Sequence, residues 1–192
     1  MRIAVVTGNP KPASRTHGVA LAVADVLAAE LAPPPAPAAT QSPPAAAQAP
    51  APAATPAAPA HLVIDLAEHA PSLFDWSAAE LSRLTAEVAA ADVAIFASPT
   101  YKAAYTGMLK AFLDRYGNNG LAGVVAVPVM TGGWPGHLLA VEVHLRPVLV
   151  ELGATIPARG LYVTEPEFPT LEAAIAKWAE SAVPLIRRAL KP

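Results

Sequence analysis

The chain has 192 residues, 54% of them hydrophobic, and a formal net charge of -2, which is ample material for one buried core and carries no basic excess. That balance argues against a nucleic acid or an anionic membrane surface as partner, and no apolar stretch approaches the roughly 20 residues needed to span a bilayer. The lack of cysteine excludes disulfides, thiolate nucleophiles and cysteine-type zinc sites; with Met1-Arg2-Ile3-Ala4-Val5-Val6 too short for a signal peptide, the expectation is a cytoplasmic protein.

Ile3 to Thr7 is a short apolar, β-rich run, and from Thr16 onward Val19, Leu21, Val23, Val26 and Leu27 form a helix-like sequence. The connecting loop, Gly8-Asn9-Pro10-Lys11-Pro12-Ala13-Ser14-Arg15-Thr16, has neither the G-x-G-x-x-G dinucleotide fingerprint nor the triphosphate-binding P-loop. It is a hydroxyl- and cation-rich turn feeding a helix N-terminus, where free backbone N–H groups and the helix dipole favour a phosphate. Ser14, Arg15 and Thr16 are placed for that; the alternative is that Ser14 or Thr16 serves only as the helix N-cap. Residues 32–60 are proline, alanine and a few Thr, Ser and Gln, without charge. Closely spaced prolines forbid helix and sheet, so this stretch is expected to be a disordered or polyproline-II surface insertion within a single domain spanning 1–192.

Leu62 to Leu66 is the second candidate strand, followed by Phe74, Asp75 and Trp76; the two aromatics are read as core lids in preference to rim residues at a ligand or subunit contact. A helix is expected from Ser77 to Ala90, with Leu81, Leu84 and Val88 on one face and Ser77 and Glu80 forming a capping box. Val93 to Ala97 closes on Ser98-Pro99, a buried parallel strand ending in a sharp turn. The loop from Pro99 to Gly107 is polar, aromatic and cationic where a mere connector is more often Gly, Asn and Asp. Thr106 then caps a helix carrying Met108, Leu109, Phe112 and Leu113. Val124 to Met130 is a strand in which Pro128 predicts a bulge or an ending, and it leads into Thr131-Gly132-Gly133. His137 to Leu152 is a helix with Pro147 inside it, which predicts a kink or a local change of hydrogen bonding. A strand near Arg159 to Thr164 and a helix from about Thr170 to Ala189 complete the chain.

Strand and helix alternate throughout, which predicts an α/β fold with a doubly wound parallel sheet and helices on both faces. Five strands in the order 2-1-3-4-5 put the ligand crevice at the switch between strands 1 and 3. The 8–16 loop follows strand 1 and the 98–107 loop follows strand 3, so both converge on that crevice. No nucleophile has a neighbouring base, and the five His residues are scattered without a metal-ligand pattern.

The run Pro99-Thr100-Tyr101-Lys102-Ala103-Ala104-Tyr105-Thr106-Gly107, with Leu109-Lys110 and Leu113-Asp114 after it, resembles the isoalloxazine-binding loop and following helix of the NADPH-dependent FMN reductases of flavodoxin-like fold. Within that family it is most similar to the reductase component of two-component alkanesulfonate monooxygenases. The 8–16 loop resembles the family's phosphate loop, with Gly8, Pro10, Ser14 and Arg15 in register, Lys11 where Arg is frequent and Asn9 where Ser is found. The resemblance implies FMN contacts from Asn9, Lys11, Ser14, Arg15 and Thr16, from Pro99, Thr100, Tyr101, Lys102 and Ala103, and from Thr131, Gly132 and Gly133 at the flavin's pyrimidine edge. Lys102, or a backbone donor at Gly132 or Gly133, is then the candidate for stabilising the reduced ring near N1 and C2=O.

The implied activity is hydride transfer from NADPH or NADH to FMN, with reduced flavin handed to a partner monooxygenase. Such a step needs positioning and electrostatics more than a protein acid or base. The alternatives are an FMN-retaining reductase of quinones, azo dyes or metal oxyanions, and a flavodoxin-type electron carrier. The helix at 138–147 resembles the family's subunit-interface helix, which implies a homo-oligomer, dimer or tetramer. Its spacing from His137 to Pro147 matches a form with one inserted residue, so a π-turn is expected around Val143 and His144.

Overall fold

A computed structural model of the chain describes residues 1–32 and 61–190; the proline- and alanine-rich stretch, beyond Ala32, lies outside the described residues. The elements, in chain order, are β1 (Ile3–Thr7), α1 (Arg15–Leu31), β2 (Leu62–Asp65), α2 (Ala79–Ala89), β3 (Val93–Pro99), α3 (Gly107–Leu113), β4 (Val125–Gly132), α4 (Arg146–Glu151), β5 (Leu161–Thr164) and α5 (Leu171–Ala189). The strands form one five-stranded sheet in the order β2-β1-β3-β4-β5, parallel at every pairing. This is the doubly wound sheet expected from the alternation of elements. The chain reverses its direction of travel between β1 and β3, so the loops after these strands leave the same carboxyl edge side by side.

Side chains alternate between two cores, as the period of two along a strand requires. Ala4, Val6, Ala94, Phe96, Ala126 and Met130 face α2, α3 and the 141–149 helical stretch, whereas Val5, Val93, Ile95, Val127, Val129 and Val163 face α1 and α5. Both faces of the central strands are thus covered, which accounts for their continuous apolar runs. No helix among the described residues is long and apolar enough to cross a membrane.

Three expectations are corrected here. First, α2 starts at Ala79 behind Ala78, with no side-chain cap. The Asp75 carboxylate has captured Ser77, accepting from its hydroxyl at 2.6 Å and from its backbone N–H at 2.9 Å, and Glu80 lies 3.6 Å from His69 instead of closing a capping box. An acidic residue two positions upstream outcompetes the helix for the serine. Those two bonds from Ser77 also hold the Asp75 carboxyl below its ordinary range. Second, Phe74 and Trp76 are 78% and 68% exposed, so they are not core lids. The Arg115 guanidinium sits over the Trp76 ring at 5.6 Å and donates to the Asp75 carbonyl at 2.9 Å, holding this segment from outside.

Third, β4 runs through Pro128 without ending or bulging. The Val125 N–H points to β3, donating to Asp92, and the Ala126 N–H points the other way, donating to Thr155. By alternation, the position of Pro128 without an N–H also faces away from β3. On that side the β5 ladder begins only at Val129, opposite Leu161, and the preceding Gly160 turns its N–H to Glu142 Oε1 at 2.7 Å. Proline is tolerated because no ladder bond is due at that position.

The helix expected from His137 to Leu152 is three pieces: a 3₁₀ turn at Pro135–His137, a π-helical turn at Val141–Leu145, and α4. The Arg146 N–H reaches back to the Val141 carbonyl, five residues away, and Pro147 follows in the first turn of α4. The wide turn is therefore present around Val143 and His144, and a simple proline kink in a regular α-helix does not describe it.

Candidate functional site

At the carboxyl edge, between the β1 and β3 loops, lies a cleft of about 350 Å³. Its wall combines Asn9, Lys11, Ser14, Arg15 and Thr16 with Pro99, Thr100 and Tyr101, and with Thr131, Gly132 and Gly133. Three loops read separately in the sequence therefore meet at one place. Lys102 and Ala103 do not line it.

The floor of the first loop is set by buried hydrogen bonds that leave little freedom. Gly8 N–H donates to Ala97 at 2.8 Å, extending the β1–β3 ladder by one bond, and the Gly8 carbonyl accepts from the Thr106 hydroxyl at 2.6 Å. Thr106 in turn accepts from the Leu109 N–H as N-cap of α3, while its own N–H donates to the Ser98 hydroxyl at 2.9 Å. One hydroxyl thus joins the β1 loop to the loop after β3. A Cβ at Gly8 would stand 2.4 Å from Leu109 Cβ and 2.9 Å from its Cα. We expect Gly8→Ala to cost about 1–3 kcal/mol, because the first turn of α3 must move. A urea unfolding midpoint equal to wild type would refute this close packing.

Asp65, at the end of β2, pins the loop from the other side. Its carboxylate accepts from Ala13 N–H at 2.9 Å and from Ala67 N–H at 3.2 Å, and Ala13 holds the left-handed conformation with φ +47°. Asn9 works inside the loop, its Oδ1 accepting from the Lys11 N–H and its Nδ2 donating to Thr16 Oγ1. Thr16 Oγ1 also lies 2.7 Å from Thr131 Oγ1, which ties α1 to the end of β4. Ser14 is the N-cap of α1, accepting from the His17 N–H at 3.2 Å, and it also faces the cleft. The N-cap reading of Ser14 therefore holds, and its place on the cleft wall leaves it within reach of a ligand there. The N-terminus of the 17-residue α1 opens at this wall with no acidic residue in its first turn, so its dipole is left uncompensated by the helix itself.

Arg15, the first residue of α1, donates from Nη2 to Glu165 Oε1 at 2.7 Å, and its guanidinium lies 4.9 Å from the centre of the Phe168 ring. Glu165 and Phe168 complete the cleft wall. The sequence reading missed both of them, and Asp65 and Ala13 as well. The available signal was positional, since Asp65 and the Glu165–Phe168 loop also leave the carboxyl edge of the sheet; contacts 52 and 150 residues away along the chain have no local pattern.

Thr100 and the tyrosine loop form the opposite wall. Thr100 N–H donates to the Thr131 carbonyl at 2.7 Å, whereas its buried hydroxyl has no hydrogen-bond partner among the described residues. Tyr101 and Ala104 exchange both backbone hydrogen bonds around Lys102 and Ala103, whose φ values are +52° and +65°. That is a type I′ turn built without glycine, a conformation costing on the order of 1–2 kcal/mol per residue. It turns Lys102 away at an exposed apex while Tyr101 remains on the wall. Tyr105, just after the turn, has its phenol pushed above the ordinary range by burial, against the pull of nearby Lys110.

The two glycines after Thr131 differ in their reasons. A Cβ at Gly132 would lie 2.1 Å from the Tyr162 hydroxyl, so the protein's own packing requires glycine there, not only a ligand's approach. A Cβ at Gly133 would come no nearer than 3.7 Å to Glu165, so nothing in the protein demands glycine at that position. Among the described residues, no group of three or more His, Cys, Asp or Glu is placed to hold a metal ion.

The family model described as "NADPH-dependent FMN reductase" matches residues 1–167. The chain belongs to this family. It is 42% identical over 85 residues to FMN reductase (NADPH) of Escherichia coli (strain K12), a match covering 44% of each chain. It is 28% identical over 173 residues to NADH-dependent FMN reductase SfnF of Pseudomonas putida, covering 88% of this chain and 80% of that one. Among solved structures, the apo form of NADH:FMN oxidoreductase (EMOB) superposes with a TM-score of 0.73 at 28% identity, covering 99% of this chain and 90% of the other. A flavodoxin from Streptococcus pneumoniae shares the fold at a TM-score of 0.52 and 18% identity.

Proposed function

We propose that this member of the FMN reductase family transfers hydride from NADPH or NADH to FMN and supplies reduced flavin to a separate flavin-dependent monooxygenase. The observation that carries the reading is the meeting, in one cleft at the β1–β3 switch, of the α1 N-terminus, the cations Lys11 and Arg15, the tyrosine loop and Thr131-Gly132-Gly133. The donor set fits FMN: a cationic, dipole-bearing end suits a phosphate, and the unpartnered Thr100 hydroxyl and exposed Gly133 backbone suit a polar ring edge. FMN supplies the redox chemistry when bound.

The chain's own part is binding and orientation. Arg15 and Lys11 hold the phosphate, with Ser14 and the first N–H groups of α1 beneath it. Thr16 and Asn9, committed to Thr131 and to the loop backbone, keep the two walls at a constant separation. Thr100 and backbone donors at Gly132 and Gly133 take the pyrimidine edge, while Lys102 at its exposed apex leaves the N1 and C2=O role to them. Pro99 and Tyr101 shape the wall that limits the ring's approach, and Ala103, in the turn behind Tyr101, stands outside it.

Resemblance of the loops to two-component reductases supports the monooxygenase partner. Trp134, Leu138, Leu139, Val143 and Val150 expose apolar surface around the π-turn, which supports a homo-oligomer, dimer or tetramer, built across that face. A cytoplasmic setting belongs to the same reading. Two cations in the cleft wall disfavour a carrier of flavodoxin type.

The test is an absorbance spectrum of the purified protein, followed by NADPH and NADH oxidation with and without added FMN. A colourless protein that becomes active on adding FMN is the expected result. A yellow protein whose activity does not respond to free FMN would favour the flavin-retaining reductase.

A further inference from the structure

We infer that Glu165 sets how readily FMN leaves, by competing with the flavin phosphate for Arg15. The inference rests on the FMN reading above and adds a residue that opposes binding. Glu165 Oε1 accepts a single bond from Arg15 Nη2, and both side chains are more than half exposed, 66% for Arg15 and 53% for Glu165. They face the same cleft.

Arg15 does not need this contact to be placed. Its backbone is the first residue of α1 and its guanidinium lies over Phe168. Glu165, by contrast, is on a turn locked by Glu167, whose Oε2 accepts from the Thr164 N–H at 2.7 Å and from the Thr164 hydroxyl at 2.6 Å. Its backbone is thereby fixed, which keeps a negative charge at the phosphate end of the site.

A phosphate that takes Arg15 must either displace this carboxylate or share the guanidinium with it, and both options weaken binding. Riboflavin, having no phosphate, meets no such competition. Oxidised and reduced FMN carry the same phosphate, so both are loosened, as an enzyme that must release its flavin to a second protein requires.

The experiment compares FMN and riboflavin binding by fluorescence titration, and FMN release by stopped flow, in wild type, Glu165→Gln, Glu165→Ala and Glu165→Gln combined with Arg15→Ala. Glu165→Gln should bind FMN about three- to tenfold more tightly, mostly through slower release, with riboflavin unchanged. The difference should narrow at high salt, because both charges are exposed. The alanine variant should behave as the glutamine variant does. FMN binding that is unchanged or weaker in both overturns the inference, the weaker case making Glu165 a positioning residue for Arg15. An equal change for riboflavin, or an undiminished gain in the Arg15→Ala background, overturns it too. Wild-type protein that binds no flavin removes the FMN reading itself.

Discussion

Arg15→Ala should lower FMN affinity by roughly tenfold to a hundredfold while leaving riboflavin affinity within about twofold of wild type. A charge-assisted hydrogen bond to phosphate is worth about 1.5–3 kcal/mol, and each 1.4 kcal/mol is tenfold in affinity. Two features pull the expected loss toward the lower end. Arg15 is largely exposed, where water and salt screen the charge, and part of its interaction is already spent on Glu165. Lys11 and the α1 N-terminus remain in the variant, so binding weakens without vanishing. Arg15→Lys should recover part of the loss, since it restores the charge but not the planar fork. Parallel titrations with FMN and riboflavin decide the matter, and equal losses for both flavins would remove Arg15 from the phosphate site.

Deleting Val143 or His144 should convert the protein from one that exchanges FMN into one that keeps it. The π-turn at Val141–Leu145 carries one residue more than an α-helix accommodates over the same rise. Removing either residue leaves Val141 and Leu145 three apart, still on one face of an α-helix, so the buried side of the segment keeps its packing. Both candidates for deletion are exposed, and Glu142 and Arg146, which bond to Gly160, Ile156 and Ala158, stay on either side of the cut. The regular ladder regains one or two hydrogen bonds, each worth about 0.5–1.5 kcal/mol. The stiffened segment follows Thr131-Gly132-Gly133 and adjoins the apolar face proposed for subunit contact. The expected result is FMN co-eluting on gel filtration and a free-flavin reductase turnover at least about tenfold lower. A folded variant, with wild-type circular dichroism and melting, that still releases FMN at the wild-type rate would sink this role for the turn.

The parallel, doubly wound sheet was legible in the chain because it follows from alternation of apolar runs with helical patterns, a local property, whereas the order 2-1-3-4-5 was the flavodoxin-like choice among the orders that such alternation allows. The same holds for the two loops at the switch point: Ser98-Pro99 announces the end of β3, and Gly8 to Thr16 announces a phosphate-suited helix N-terminus, each within about ten residues. The π-turn, by contrast, was expected only through the resemblance of this helix to the family's interface helix, against which the distance from His137 to Pro147 matches the form with an inserted residue.

Local reading failed where a residue had to choose between partners. Ser77 had a helix to cap and an aspartate two positions away, and only the folded geometry shows that Asp75 took it. Pro128 appeared to break β4 because the direction of its absent N–H depends on which neighbour begins where. Phe74 and Trp76 looked like core on hydrophobicity alone, yet no element among the described residues buries them. The site itself divides in the same way. The cations that draw a phosphate can be read from residue type, but Asp65 holding Ala13, Thr106 joining two loops, and Glu165 on Arg15 are pairings across 52, 98 and 150 residues. Separations of that length are set by the stacking of parallel strands, whose carboxyl ends gather loops distant in the chain onto one edge, and so tertiary structure alone decided which charges face each other.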